Sequence, residues 1–253
     1  MLSDLTHIPR IMRRQGWLNG ARLLEIWFSR PRAVAPSYSA PDTTTIRMDS
    51  WALTFPRARQ VYDQLVRDRI WSNTPARQVI ARMLRHKGLL ANAVRSFGQL
   101  TDPVPQQDVD YINFRAAGGY TNFDDMTAAL GNFTFRVVVA GTVGPAAGPQ
   151  GSPGGAGYQV QITEVGIYIR DSFDFEGNQY LGCWSDDPDG FSPIMPPQPG
   201  SQFGITFRPP LFSPVGNRDF REWRSRTGRG GDFLVFSDMK RLILNPPDAF
   251  VVV

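Results

Sequence analysis

Three carboxylates fall within six positions in the segment Arg170-Asp171-Ser172-Phe173-Asp174-Phe175-Glu176-Gly177-Asn178-Gln179. Carboxylates this close repel one another unless a cation, an arginine or a proton sits among them. That requirement is why such clusters mark metal or acid/base sites. Asp171, Asp174 and Glu176 are therefore the candidate catalytic groups, with Phe173 and Phe175 facing the interior. The spacing equally suits a plain turn in which Asp, Gly and Asn play their usual roles, and both readings stand at this stage. Asp186-Asp187-Pro188-Asp189-Gly190 has the oxygen density for calcium but lacks the ligand register of an EF-hand, so it reads as a turn. Cys183, the one cysteine, has no histidine near it in sequence and reads as a buried structural thiol. A single cysteine also excludes an internal disulfide. No P-loop, Rossmann glycine pattern, nucleophile elbow or zinc-peptidase motif is present.

The elements that must position these groups differ between the two parts of the chain. Residues 8–30 carry apolar side chains at three-and-four spacing and predict a helical segment interrupted at 16–20, capped by Thr6 or Ser3 and ended by Pro31. Residues 36–45 read as an extended linker. Residues 58–70 predict a second helix. A third starts at Thr74-Pro75 and runs to Lys87 with Gly88 as its stop. Beyond Thr101 the texture changes to a short helix over 122–130, a strand over 133–143, a Gly- and Pro-rich hairpin loop over 144–157, and a returning strand over 158–169. Its core positions shift parity at Glu164-Val165, which marks a bulge. Residues 203–207, 233–236 and 243–253 supply further strands. The expectation is an α+β fold, an N-terminal helical bundle packed beside an antiparallel β-sheet or open β-barrel, with residues 1–100 as a basic helical domain and 101–253 as a β-rich catalytic domain.

Charge follows the same division. Residues 1–100 hold 16 Lys and Arg against 6 Asp and Glu, whereas residues 101–253 hold 11 against 17. The arginines of the first part are spread along amphipathic helices without a dense patch, so a nucleic-acid partner is not expected. The first residues lack the n- and h-regions of a secretory signal, and no apolar run reaches the roughly 18 residues of a membrane span. The chain is expected to be made as a cytosolic protein and, if it acts elsewhere, to be carried there by another route than general secretion.

The pattern Gly131-Asn132-Phe133, a strand, Gly141-Thr142-Val143, a glycine-rich turn, a second strand and then Asp171-x-Phe173-Asp174-Phe175 resembles the catalytic domain of colicin M and its relatives over residues 131–250. The resemblance implies cleavage of lipid II between its polyprenyl chain and pyrophosphate. It also implies that Asp171 and Asp174 stand as the family's two aspartates and bind a divalent metal such as Mg2+. Phe173 takes the place of the family's tyrosine, and Gly177 and Asn178 fall where its histidine and arginine would be, leaving the histidine's role vacant. Over nearly its full length the chain also resembles an uncharacterised bacterial family associated with type VI secretion effector clusters. The residues that carry this are 8–17, Trp27-Phe28 and 168–182.

Phosphoester cleavage needs a positive clamp for developing charge. Arg170 and the segment Arg218-Asp219-Phe220-Arg221-Glu222-Trp223-Arg224-Ser225-Arg226-Thr227-Gly228-Arg229 are the candidates, with Arg221, Arg224 and Arg226 as substrate-binding groups because a guanidinium binds oxygens in pairs. The other reading of that segment is a solvated loop whose arginines pair with Asp219, Glu222 and Asp232. With these residues, the two resemblances imply an antibacterial secreted effector acting in the periplasm of a target cell, a metal-dependent lipid II hydrolase. Its expected partners are lipid II or another lipid-linked precursor, a cognate immunity protein, a secretion-system carrier and the membrane surface. The alternative is a non-enzymatic membrane-perturbing or partner-binding module.

Overall fold

A computed structural model describes residues 2–118, 122–147, 153–187, 190–193 and 212–253. The fold is α+β: among the described residues, seven α-helices accompany antiparallel sheets that do not close into a barrel. No helix among them is long and apolar enough to cross a membrane. Contacts divide the chain into two compact units, each assembled from three stretches. One comprises Met1–Thr45, Gly118–Asn132 and Asp171–Val235, and the other Ile46–Ala117, Phe133–Arg170 and Phe236–Val253. The change of composition near residue 100 falls inside the second unit.

The first unit begins with α1 (Ile8–Arg14) and α2 (Leu18–Ser29), separated by a turn in which Gly16 takes φ 79°. Asp4, not Ser3 or Thr6, supplies the cap, accepting from the Thr6 N–H of the short 3-10 turn that precedes α1. The buried stripe of α2 is Ala21, Leu23, Leu24, Trp27 and Phe28. Gly20 is needed for close approach, since a Cβ there would lie 2.7 Å from the Cβ of Ala128 near the end of α6 (Asp125–Ala129). Asp124 caps α6 through the Thr127 N–H. A three-stranded sheet in the order β6–β5–β7 is built from β5 (Tyr180–Trp184), β6 (Phe191–Ser192) and β7 (Ser213–Gly216). β7 leads into α7 (Asn217–Thr227), which Gly228 ends at φ 69°. Strand β8 (Phe233–Phe236) follows.

In the second unit, α3 (Pro56–Arg67) and α4 (Thr74–His86) accompany the five strands β1 (Arg95–Phe97), β2 (Asn113–Ala117), β3 (Phe133–Ala147), β4 (Pro153–Phe173) and β9 (Lys240–Val252). The short α5 (Val104–Gln107) lies between β1 and β2. The cap of α4 is Asn73, which accepts from the Ala76 N–H and leaves Thr74 and Pro75 inside the helix. β3 pairs with β1, β2 and β4, and β4 with β9 and β8. The expected bulge is present as a register shift between Ile162 and Glu164. It lets Val160 and Ile162 on one parity and Val165, Ile167 and Ile169 on the other all be buried. Asp108, buried, accepts from Arg136 at 2.7 and 2.8 Å and from the Tyr168 hydroxyl at 2.6 Å, which satisfies its carboxylate, while Arg136 Nε is buried without a partner among the described residues. The strand expected at 203–207 and the tip of the loop expected at 144–157 lie outside the described residues.

Candidate functional site

β4 does not stop where its core-facing residues end. It continues through Asp171 and Ser172 to Phe173, where the first unit takes the chain over. Phe173 and Phe175 turn into the core of that unit. Phe175 stacks on Phe220 at 3.9 Å and packs against Trp27 at 4.8 Å, while Phe173 stacks on Phe233. With these rings anchored, Asp171, Ser172 and Asp174 line a half-open cleft of about 180 Å³. Its other walls are largely apolar: Ile8, Met12, Trp17 and Leu24 from the N-terminal helices, Phe123 and Leu130 flanking α6, and Trp184 and Phe191 from the small sheet. Trp17, Trp184 and Phe191 contact one another edge-on or tilted at 4.7–6.3 Å, the geometry that aromatic quadrupoles favour. Phe123 and Tyr180, at the lining, stay partly open to solvent.

Asp174 is half-buried, and its Oδ1 accepts the Glu176 N–H at 3.2 Å in a local turn. Burial raises its pKa above the ordinary carboxylate value. The charges of Asp232 and Glu176 push the same way, while the Glu176 N–H and Arg224 oppose. The result is a carboxyl of increased proton affinity facing a largely apolar cleft.

The remaining sequence-predicted groups are placed otherwise. Glu176 is exposed, does not line the cleft and lies 3.9 Å from Arg224 Nη2. Arg170 belongs to the second unit, and its buried Nε has no hydrogen-bond partner among the described residues. The arginine segment is a helix, α7, and its guanidinium groups hold structure together. Arg221 Nη1 donates to the carbonyl oxygens of Phe175 and Gly177, fixing the turn that follows Asp174. Arg224 is buried and donates from Nη1 to Asp232 Oδ1 at 2.8 Å and to the Ala33 carbonyl at 3.0 Å. Asp232 Oδ1 also accepts from Trp27 Nε1 at 2.9 Å. Arg229 donates to the carbonyls of Phe28 and Ser29 at the end of α2. Arg226 is exposed, in a shallow surface hollow with Arg218 and Glu222. Thus Asp171 and Asp174 come together at the cleft, and Arg221, Arg224 and Arg226 do not line it.

Sequence reasoning missed the polar groups that complete this unit. Asn217, at the start of α7, lines the cleft and donates from Nδ2 to the Glu176 carbonyl. Asp186 is not a free turn residue: it accepts from Ser3 Oγ at 2.6 Å and pairs with His7 Nδ1 at 2.8 Å. Ser3 and His7 hold Asp186 down at about 2, the Ser3 hydroxyl contributing most. Ser3 and His7 both bond Asp186, and Ser3 Oγ and Asp186 Oδ1 meet the same His7 nitrogen, Nδ1, which is not the relay order of a nucleophilic serine. The buried thiol of Cys183 accepts from the Tyr180 hydroxyl at 3.1 Å. Among the described residues no group of three or more His, Cys, Asp or Glu side chains comes together as a metal site.

No curated protein and no solved structure matches the chain. A family model does, over residues 3–252, and the chain therefore belongs to the family described as a family of unknown function (DUF6402).

Proposed function

We propose that the chain is an antibacterial secreted effector toxin that acts in the envelope of a target cell, hydrolysing the phosphoester link of a lipid-linked cell-wall precursor such as lipid II. The observation that carries this reading is the cleft of the first unit, where Asp171 and Asp174, with Asp124, Thr127, Gln179 and Asn217, line a space whose remaining walls are mostly aromatic and aliphatic. Such a site suits a substrate with an apolar chain joined to a polar headgroup. In this reading Asp174 takes a proton from attacking water, a role that the raised proton affinity given by burial supports. Asp171 lines the same space and orients that water. Water adds to phosphorus, the bond to the lipid oxygen breaks, and that oxygen leaves with a proton from solvent.

The resemblance implies Mg2+. Two carboxylates at one cleft fit an ion that keeps most of its waters and takes further oxygens from phosphate. Asp171 and Asp174 would hold it, and when bound it supplies positive charge that the arginines of α7 do not bring to the cleft. Arg221 acts at one remove, holding the turn after Asp174. A cognate immunity protein and a secretion-system carrier belong to this proposal as partners.

The test is expression of the protein with a periplasmic signal in a susceptible bacterium. Wild type is expected to arrest growth and lyse cells, and Asp171→Ala and Asp174→Ala, at equal abundance, to leave growth intact. Killing that survives both substitutions would transfer the protein to the non-enzymatic class.

A further inference from the structure

We propose that the loop joining α4 to β1 in the second unit is a docking surface for an anionic lipid bilayer. From Arg69 to Thr101 the chain carries six Lys and Arg and no Asp or Glu. Within this run α4 presents Arg82, Arg85 and His86 on its exposed side. The helix then closes with the Leu89 N–H donating to the Leu84 carbonyl and Gly88 at φ 64°. The chain next passes through Leu90-Ala91-Asn92-Ala93-Val94 before reaching exposed Arg95. Val94 is 71% exposed, an apolar side chain held out in water at the tip of a basic stretch.

The sheet sets Arg95 and Arg77 at the two ends of one row of paired residues. Arg95 pairs with Val143, Val143 with Val160, and Val160 with Phe250, so the four form one row across β1, β3, β4 and β9. The guanidinium of Arg77 on α4 lies 5.0 Å from the Phe250 ring. Three strand spacings, about 14 Å, separate the ends of that row. Lys87 pairs with Asp110, and Arg85 donates to the Val253 carbonyl, whereas Arg82 and Arg95 form no ion pair among the described residues.

Unpaired cations near an anionic leaflet strengthen binding by roughly fivefold each, and apolar side chains between them gain by entering the headgroup region. A nucleic acid would use the cations but gain little from Leu90, Ala91, Ala93 and Val94, since it binds through phosphate contacts and stacking on aromatic rings. The inference does not depend on the chemistry of the cleft.

Co-sedimentation of the full chain with vesicles tests it. Binding is expected to phosphatidylcholine vesicles containing phosphatidylglycerol, at least about tenfold tighter than to phosphatidylcholine alone. It should weaken strongly between about 0.15 and about 1 M salt, where the screening length shrinks from about 8 to about 3 Å. The double variant Arg82→Ala/Arg95→Ala should lose roughly 25-fold, and Val94→Asp should weaken binding with its circular dichroism unchanged. Equal binding to neutral vesicles, no binding to either, or salt-independent binding by wild type overturns the proposal without recourse to any variant. Preferential binding of a duplex oligonucleotide in competition would instead make this a nucleic-acid surface.

Discussion

Arg224 separates a substrate clamp from a structural cation. Its side chain is 4% exposed and that of its partner Asp232 1%, with 2.8 Å between Nη1 and Oδ1. Arg224→Ala leaves Asp232 buried with only the Trp27 N–H as a named donor and leaves the Ala33 carbonyl without that guanidinium. Removing one member of a buried pair costs about 3–5 kcal/mol. For a chain of this size that corresponds to a fall of roughly 6–20 °C in melting temperature. Arg224→Lys recovers little, because an ammonium cannot reproduce the planar fork. Arg224→Met combined with Asp232→Leu recovers part of the loss, because both charges leave the interior together, while the buried Trp27 N–H loses its acceptor. Exposed Arg226→Ala stays within about 0.5 kcal/mol of wild type. Chemical denaturation followed by tryptophan fluorescence reads all four variants. An Arg224→Ala protein as stable as wild type, yet without toxicity, would refute this reasoning and restore Arg224 as a substrate ligand.

Asp174→Asn should stabilise the protein at neutral pH. The folded state holds the Asp174 proton more tightly than the unfolded state, so stability falls as pH rises from the ordinary 3.8 through the raised folded value. The gain should therefore be present at about pH 7 and vanish near pH 3 in thermal melts; a gain that persists at the lower pH would contradict it. Asp186 has the opposite sign: held at about 2, it contributes stability above its ordinary 3.8 that is lost as pH falls toward 2. Asp186→Asn should flatten that acid limb, and an unchanged limb would mean that its bonds to Ser3 and His7 are not formed in solution. Gly230→Ala should cost about 1–3 kcal/mol, since Gly230 has φ 88° and an added Cβ would meet the Trp27 ring at 2.4 Å; a neutral effect in denaturation would show that the ring moves aside.

Much of the secondary structure was legible because it rests on local signals. Gly16 broke the first helix, Pro75 and Gly88 bracketed the third, and the shift of parity at Glu164-Val165 announced the irregularity in β4. α7 was readable but overlooked. Phe220, Trp223 and Thr227 recur at helical spacing among the arginines. The small sheet was not legible, since β5, β6 and β7 are only two to five residues long and contain Gly and Pro. The caps Asp4 and Asn73 each stand one or two residues from the positions expected, within the usual uncertainty of helix boundaries. Asp171 and Asp174 line one cleft at a strand end that Phe173 and Phe175 anchor, and those two phenylalanines are readable in the sequence as interior residues. The pairing of an α7 arginine with Asp232 was one of the two readings of the segment, and Arg224 makes it; the use of Arg221 and Arg229 could not be inferred, because their partners Phe175, Gly177, Phe28 and Ser29 offer backbone oxygens that any sequence has.

The cleft's role is tested most directly by incubating purified wild type, Asp171→Asn, Asp174→Asn and Arg226→Ala with labelled lipid II and Mg2+, and separating the products by thin-layer chromatography. Wild type and Arg226→Ala are predicted to release the headgroup from the lipid, and the two cleft variants, folded by circular dichroism, to leave lipid II intact. Intact lipid II in the wild-type reaction, or equal release by all four proteins, would contradict the assignment.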